Sequence, residues 1–240
     1  MSRRYPNTPN LLTKQAKHHN SVAKARSRRR GTPSGKRARG VQRNEQLPFA
    51  PPEDWHEPTG KRNGYRIVVQ PPGQGYRHVV TAEEVRDRLA ELPKSFVHDL
   101  EVIQLSRMTR KKKSFPCYGM QWGSALYLYP LEDSLIEYFY SPPPANLVAE
   151  TRMYGATWQR EEPGPWKLVW TGATIKDYYL NNILIHELGH LLDERNGGYI
   201  DRERYAEWFA IEYGYRRSRQ QNMPHATTQQ REIKRRHHSA

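Results

Sequence analysis

The chain has 240 residues, with 39 Lys and Arg against 25 Asp and Glu, one cysteine and a mean hydropathy of −0.97. A single Cys excludes an intrachain disulfide framework, and no run approaches the ~18–20 apolar residues of a membrane span. The basic start at Arg3 and Arg4 is followed by no apolar stretch longer than Leu11-Leu12, too short for a signal peptide, so a soluble protein of a reducing, cytoplasmic compartment is expected.

The formal charge of +14 is unevenly placed. Residues 1–44 hold 13 Lys and Arg and no Asp or Glu, and residues 216–240 hold seven Lys and Arg against Glu232 alone. Residues 45–215 keep 19 basic and 24 acidic side chains, a net of −5. Segments that bury little apolar surface do not offset their ordering entropy. Residues 1–59 therefore read as a basic, Pro-rich, disordered N-terminal segment and residues 219–240 as a basic disordered tail. Arg28-Arg29-Arg30 and Lys36-Arg37-Ala38-Arg39 are dense enough to neutralise several phosphates, with few aromatics interleaved. Non-specific binding of nucleic acid or an anionic surface is the functional reading of residues 1–44; a solubilising tail is the other.

A folded domain is expected over residues 60–218. Tyr65 to Val69 reads as a strand, Pro71-Pro72-Gly73-Gln74-Gly75 as a turn, and Tyr76 to Val80 as the hairpin partner. Thr81 and Glu84 have capping-box spacing, opening a helix that Pro93 stops after Leu92. Leu100 to Leu105 is a second strand, and Lys111-Lys112-Lys113 a solvated loop. Ala125-Leu126-Tyr127-Leu128-Tyr129 is β-type, with the tyrosines alternating outward in an edge strand that either pairs with an extended peptide or is simply half-buried. Leu147 to Trp158 and Trp166 to Trp170 are further strand candidates.

From Thr174 the period becomes helical. Thr174 and Asp177 give another capping-box spacing, the run continues to about Arg195, and Gly197-Gly198 supplies the stop. A last helix is expected from Asp201 to about Arg217.

The first of these helices contains His186-Glu187-Leu188-Gly189-His190. Residues four apart share a helix face, so His186 and His190 project together at the spacing two imidazoles need for one Zn²⁺. Glu187 flanks them where it reaches a metal-activated water, the arrangement of a His-Glu-x-x-His hydrolase. Leu180, Ile183, Leu184, Leu188, Leu191 and Leu192 supply the buried stripe. Gly189 costs ~1 kcal/mol of helix propensity and implies close packing between the two ligands.

Catalytic zinc needs a third protein ligand. Glu203 and Glu207 lie four apart on the final helix, and either carboxylate can meet the histidines if the helices fold back antiparallel. The Glu203-Arg204-Tyr205-Ala206-Glu207-Trp208-Phe209 segment, following His186-Glu187-Leu188-Gly189-His190-Leu191-Leu192-Asp193, resembles the gluzincin branch of the zincin metallopeptidases, in a form similar to the catalytic domain of anthrax toxin lethal factor. The resemblance covers about residues 174–212, with a shorter span between His190 and Glu203 than in that domain. It implies an α+β, zincin-like fold, a small twisted sheet packed beside an active-site helix and followed by a second, ligand-bearing helix. It also implies zinc held by His186, His190 and Glu203, Glu187 as general base, Glu207 orienting a ligand imidazole, and hydrolysis of a peptide or protein substrate. Tyr199, expected in the loop before the last helix, is the candidate to face the developing oxyanion. Cys117 is a buried small side chain or an inhibitory fourth ligand, and Asp193 either joins the zinc shell or faces water. The alternative function is a basic, nucleic-acid-associated protein whose zinc site is structural or inactive.

Overall fold

In the computed structural model, residues 51–60, 64–114, 116–160 and 162–221 are described. The strongly basic stretches of residues 1–44 and most of the expected C-terminal tail lie outside them.

Two strands form the buried centre of the fold. β1 (Arg66–Val69) pairs in parallel with β3 (Val102–Leu105), which pairs in parallel with β5 (Ala125–Leu128); β4 (Gly119–Trp122) closes the sheet as an antiparallel edge. Every residue of β3 and β5 is buried, because both sheet faces are covered. On one face Ile103, Leu105, Leu126 and Leu128 join the main core with Val85 and Leu89 of helix α1 (Ala82–Ala90) and the long C-terminal helices. On the other, Val102, Met120, Ala125, Tyr127 and Tyr129 form a smaller cluster.

The segment before β1 is fastened to this second face. The His56 amide donates to the Tyr127 hydroxyl at 2.8 Å, its ring lies parallel to that of Tyr127, and its Nε2 meets Gln104 Oε1 at 2.8 Å. The amides of Thr59 and Gly60 donate to the Glu101 carboxylate. Gly123, in the β4–β5 turn with φ +58°, sits against Pro58, whose ring a Cβ would meet at 2.9 Å.

The 65–80 hairpin does not form: β2 (Tyr76–Arg77) pairs with β6 (Leu131–Glu132), so the Pro-Pro-Gly turn leads away from β1. Residues 125–129 are interior, not an edge, and Tyr127 and Tyr129 are buried at 0% and 3% exposure. Lys111 to Lys113 belong to helix α2 (Arg110–Ser114), with Lys112 buried and its Nζ donating to Cys117 Sγ at 2.9 Å. Residues 147–158 are not one strand. Pro144 caps helix α3 (Ala145–Met153), whose Leu147 and Thr151 face inward, and only then comes β8 (Thr157–Arg160). β8 pairs with β9 (Trp166–Val169), which pairs with β7 (Ile136–Phe139) in a separate antiparallel sheet.

The C-terminal third is nearly continuous helix. Thr171, not Thr174, is the N-cap of α4 (Gly172–Tyr178), and the box closes on Thr174 as its third helical residue. A π-helical segment, Tyr179–Ile183, follows, then α5 (Leu184–Leu192). Asp193 ends α5; neither Gly197 nor Gly198 is left-handed, and Gly198 in extended backbone starts α6 (Tyr199–Phe209) two residues before the expected Asp201. A second π segment, Ala210–Arg216, leads into α7 (Arg217–Gln221). The two π segments face each other. Gly214 presses on the Asn181 backbone, and Arg88 from α1 donates to the Asn181 side chain at 2.6 Å and the Tyr213 carbonyl at 2.5 Å.

Candidate metal centre

Helix α5 is held by Leu184, Ile185 and Leu188, all at 0% exposure. Burial of each such side chain contributes roughly 1.5–3 kcal/mol, enough to fix the roll of the helix. With that face inward, His186 and His190 meet at their Nε2 atoms, 3.1 Å apart, with ring planes at 84°. Helix α6 packs antiparallel to α5 across Gly189, where an added Cβ would stand 3.0 Å from Ala206 Cα and 3.1 Å from Phe209 Cβ. This is the close contact that a glycine between two candidate ligands implies.

The approach delivers Glu203. Its Oε1 lies 3.3 Å from His190 Nε2 and its Oε2 3.7 Å from His186 Nε2. Donors about 2.0–2.1 Å from a tetrahedral Zn²⁺ stand roughly 3.3 Å apart, close to the 3.1 Å between the two Nε2 atoms and the 3.3 Å from His190 Nε2 to Oε1, while His186 Nε2 meets the other carboxylate oxygen at 3.7 Å. The nitrogen and oxygen donors are of the right kind for a borderline metal. His186, His190 and Glu203 thus form a possible metal-binding triad.

The electrostatics of the metal-free triad follow from its density. Burial alone raises Glu203, but His186 and His190 outweigh it and bring the carboxyl down to about 2. Burial would depress His186, yet the Glu203 and Glu187 carboxylates prevail and raise it. Glu187 is raised, chiefly by burial and against the pull of both histidines. The Gln121 amide works with the histidines in lowering it, and its carboxylate packs on Gly119, where a Cβ would meet Glu187 Cγ and Oε1 at 2.8 Å. The edge strand therefore holds the candidate base.

Glu207 lies one turn beyond Glu203 and outside the triad. Burial raises its carboxyl, and it acts on His186 through space with no hydrogen bond between them. A second acid approaches the same imidazole from α3. Glu150 is raised to about 6, mainly by burial, and accepts from Tyr178 Oη at 2.7 Å and Asn182 Nδ2 at 3.0 Å. His186 Nδ1 is buried with no hydrogen-bond partner among the described residues, between these two carboxylates' fields.

A cleft of about 380 Å³ opens over His190 and Glu203 of the triad, with His186 buried behind them. One wall is the edge strand and its turn, Met120 to Gly123; the other holds Glu187, His190, Tyr199, Arg202 and Glu203. Tyr199 is the first residue of α6, not a loop residue. Burial and then the neighbouring Glu203 carboxylate raise its hydroxyl well above the usual phenol range. Arg202 Nη2 donates to the His190 carbonyl at 3.0 Å.

Two other candidates stand apart. Asp193 accepts from the Asn196 and Arg195 amides and shapes the α5–α6 loop, and Cys117 is engaged by Lys112. Sequence reasoning missed β4, Glu150 and Arg202. Only the first left a trace, the Gly119 and Gly123 that bracket Met120-Gln121-Trp122; the other two carry no spacing signal, since helix packing alone brings them in. Among the described residues no helix is long and apolar enough to cross a membrane. No family model matches the chain, and neither a curated protein nor a solved structure matches it.

Proposed function

We propose that the chain is a zinc-dependent peptidase with a zincin-like domain. The observation that carries this reading is the convergence of His186 Nε2, His190 Nε2 and the Glu203 carboxylate within 3.1 to 3.7 Å, with Glu187 on the next position of the same helix. The mixed sheet with its antiparallel edge, followed by the histidine helix and the carboxylate helix, supports the fold assignment. His186, His190 and Glu203 would hold zinc, which supplies Lewis acidity toward water and the scissile carbonyl.

The chain's own groups do the rest. An extended substrate adds to β4 as a further strand, which lays its backbone beside Glu187. Glu187 takes the proton of the attacking water and later delivers it to the leaving amine. Its desolvated carboxyl, raised above the ordinary range, is suited to holding that proton between the two steps. Tyr199 lines the same cleft and would donate its hydroxyl to the developing oxyanion.

Zinc-dependent cleavage of a broad peptide library by wild type and Glu187→Gln tests the proposal. Glu187→Gln is expected to retain zinc and fold while losing hydrolysis; equal activity in both proteins defeats it. One further observation favours a second reading, the 13 basic and no acidic residues of positions 1–44. In that reading the protein is a nucleic-acid-associated factor with a structural zinc site. Removal of residues 1–44 then abolishes nucleic-acid binding, and Glu187→Gln leaves it intact.

A further inference from the structure

We infer that Arg202 selects substrate by binding a carboxylate beside the scissile bond, so that the cleft favours peptides with an acidic side chain or a free C-terminus there. The inference rests on the peptidase reading and names the substrate class for the same cleft.

Arg202 precedes the ligand Glu203 in α6 and is tied by Nη2 to the carbonyl of the ligand His190, 3.0 Å away. Its guanidinium is therefore anchored within one residue of two members of the triad, on the wall of the same cleft. Yet among the described residues that carbonyl is its hydrogen-bond partner and no carboxylate oxygen lies within 4.0 Å; Nε is buried with no partner at all. The two acids that share the cleft are engaged elsewhere: Glu203 faces the imidazoles and Glu187 packs on Gly119.

A partly buried cation without a counter-charge is costly. The cost is met when a ligand brings the anion, and the planar fork of Arg matches a carboxylate through two parallel N–H···O bonds. The opposite wall, with Met120, Trp122 and Gly123, offers apolar surface and no competing cation. Two other roles predict different behaviour. A purely structural tie to the last turn of α5 needs only positive charge near a helix C-terminus, which Lys also provides. An oxyanion donor acts on every substrate alike.

The test compares zinc-loaded wild type, Arg202→Lys and Arg202→Gln on paired peptides. One pair differs by Asp or Glu against Asn or Gln flanking the scissile bond; the other by a C-terminal carboxylate against a C-terminal amide. Wild type is expected to prefer the carboxylate member of one pair by about tenfold or more in kcat/KM, and the responsive pair identifies the carboxylate. Arg202→Gln is expected to bring that ratio to about one and Arg202→Lys to an intermediate value, with zinc content and melting temperature as folding controls. A wild-type ratio near one, or a ratio that survives in Arg202→Gln while all rates fall together, overturns the inference.

Calorimetric titration of the same peptides into zinc-loaded Glu187→Gln separates this failure from that of the peptidase reading. Preferential binding of carboxylate peptides, lost in Glu187→Gln/Arg202→Gln, upholds the Arg202 site even if no peptide is cleaved. Cleavage without any carboxylate preference in rate or binding leaves a peptidase and removes the inference. Neither cleavage nor preference removes both.

Discussion

Gly119 and Glu187 meet so closely that the glycine has no room for a side chain: a Cβ would lie 2.8 Å from Glu187 Cγ and Oε1, and 2.7 Å from Ile183 Cγ2. The edge strand thus touches the helix through backbone, and the Gln121 amide two residues on lowers the proton affinity of the same carboxylate. The position of Glu187 is thus set from β4, while burial sets the direction of its proton affinity.

Gly119→Ala is therefore expected to displace Glu187 without removing any metal ligand. A loss of about 10²-fold in kcat/KM is the scale for a misplacement near 1 Å, while zinc content remains that of wild type. Steady-state kinetics with metal analysis decide it, and unaltered kinetics would mean that the strand does not position the base.

Gly189→Ala sets two effects against each other. Ala gains about 1 kcal/mol of helix propensity, but its Cβ lands 3.0 Å from the Ala206 backbone and 3.1 Å from Phe209 Cβ. Overpacking at about 1–3 kcal/mol outweighs that gain, so urea denaturation should show a less stable protein, and chelator competition a weaker zinc site as α5 and α6 separate.

Glu203→Ala and Glu207→Ala should differ in kind. Loss of Glu203 takes away one of three donors and is expected to abolish zinc retention against a competing chelator. Loss of Glu207, which makes no hydrogen bond to the histidines, should cost at most the 10–100-fold typical of residues supporting a ligand. Equal losses in the two variants would show that the carboxylates share the metal.

Glu150 gives the metal-free protein a pH signature. Burial holds its folded-state carboxyl at about 6 against an ordinary 4.5. Since the unfolded chain releases this proton first, stability falls as pH rises from 4.5 to 6 and stays lower above that. A shift of that size corresponds to about 2 kcal/mol at most. Glu150→Gln, which keeps an acceptor for Tyr178 and Asn182, is expected to raise the melting temperature of the zinc-free protein at pH 7 and not at pH 4. A fall at pH 7 would show that the charge is favourable there.

The donors were legible in the sequence because helix geometry is local. His186, Glu187 and His190 are fixed by spacing along one helix, and Gly189 announced a close neighbour. Which of Glu203 and Glu207 enters the triad depends on the roll of α6, and spacing left both on one face. Non-local pairings were the least legible. Tyr76-Arg77 finds Leu131-Glu132 rather than the adjacent β1, and Leu147-Val148 reads as strand until the Pro144 cap and inward Leu147 and Thr151 show a helix. Nothing in Met120-Gln121-Trp122 marks an edge strand beside the cleft, since being an edge is a property of the sheet.

The paired π segments give the candidate metal centre an adjustment point remote from its three side chains. Their backbones abut at Asn181 and Gly214, and Arg88 clasps both from α1. These residues fix the spacing of the two helices that carry His186 and Glu203. Any side chain at 214 must pry the helices apart there, altering the gap between imidazole and carboxylate without changing a donor. In the proposed zinc site, the preference for one cation radius over another is thus open to change by inheritance at residues that do not line the cleft.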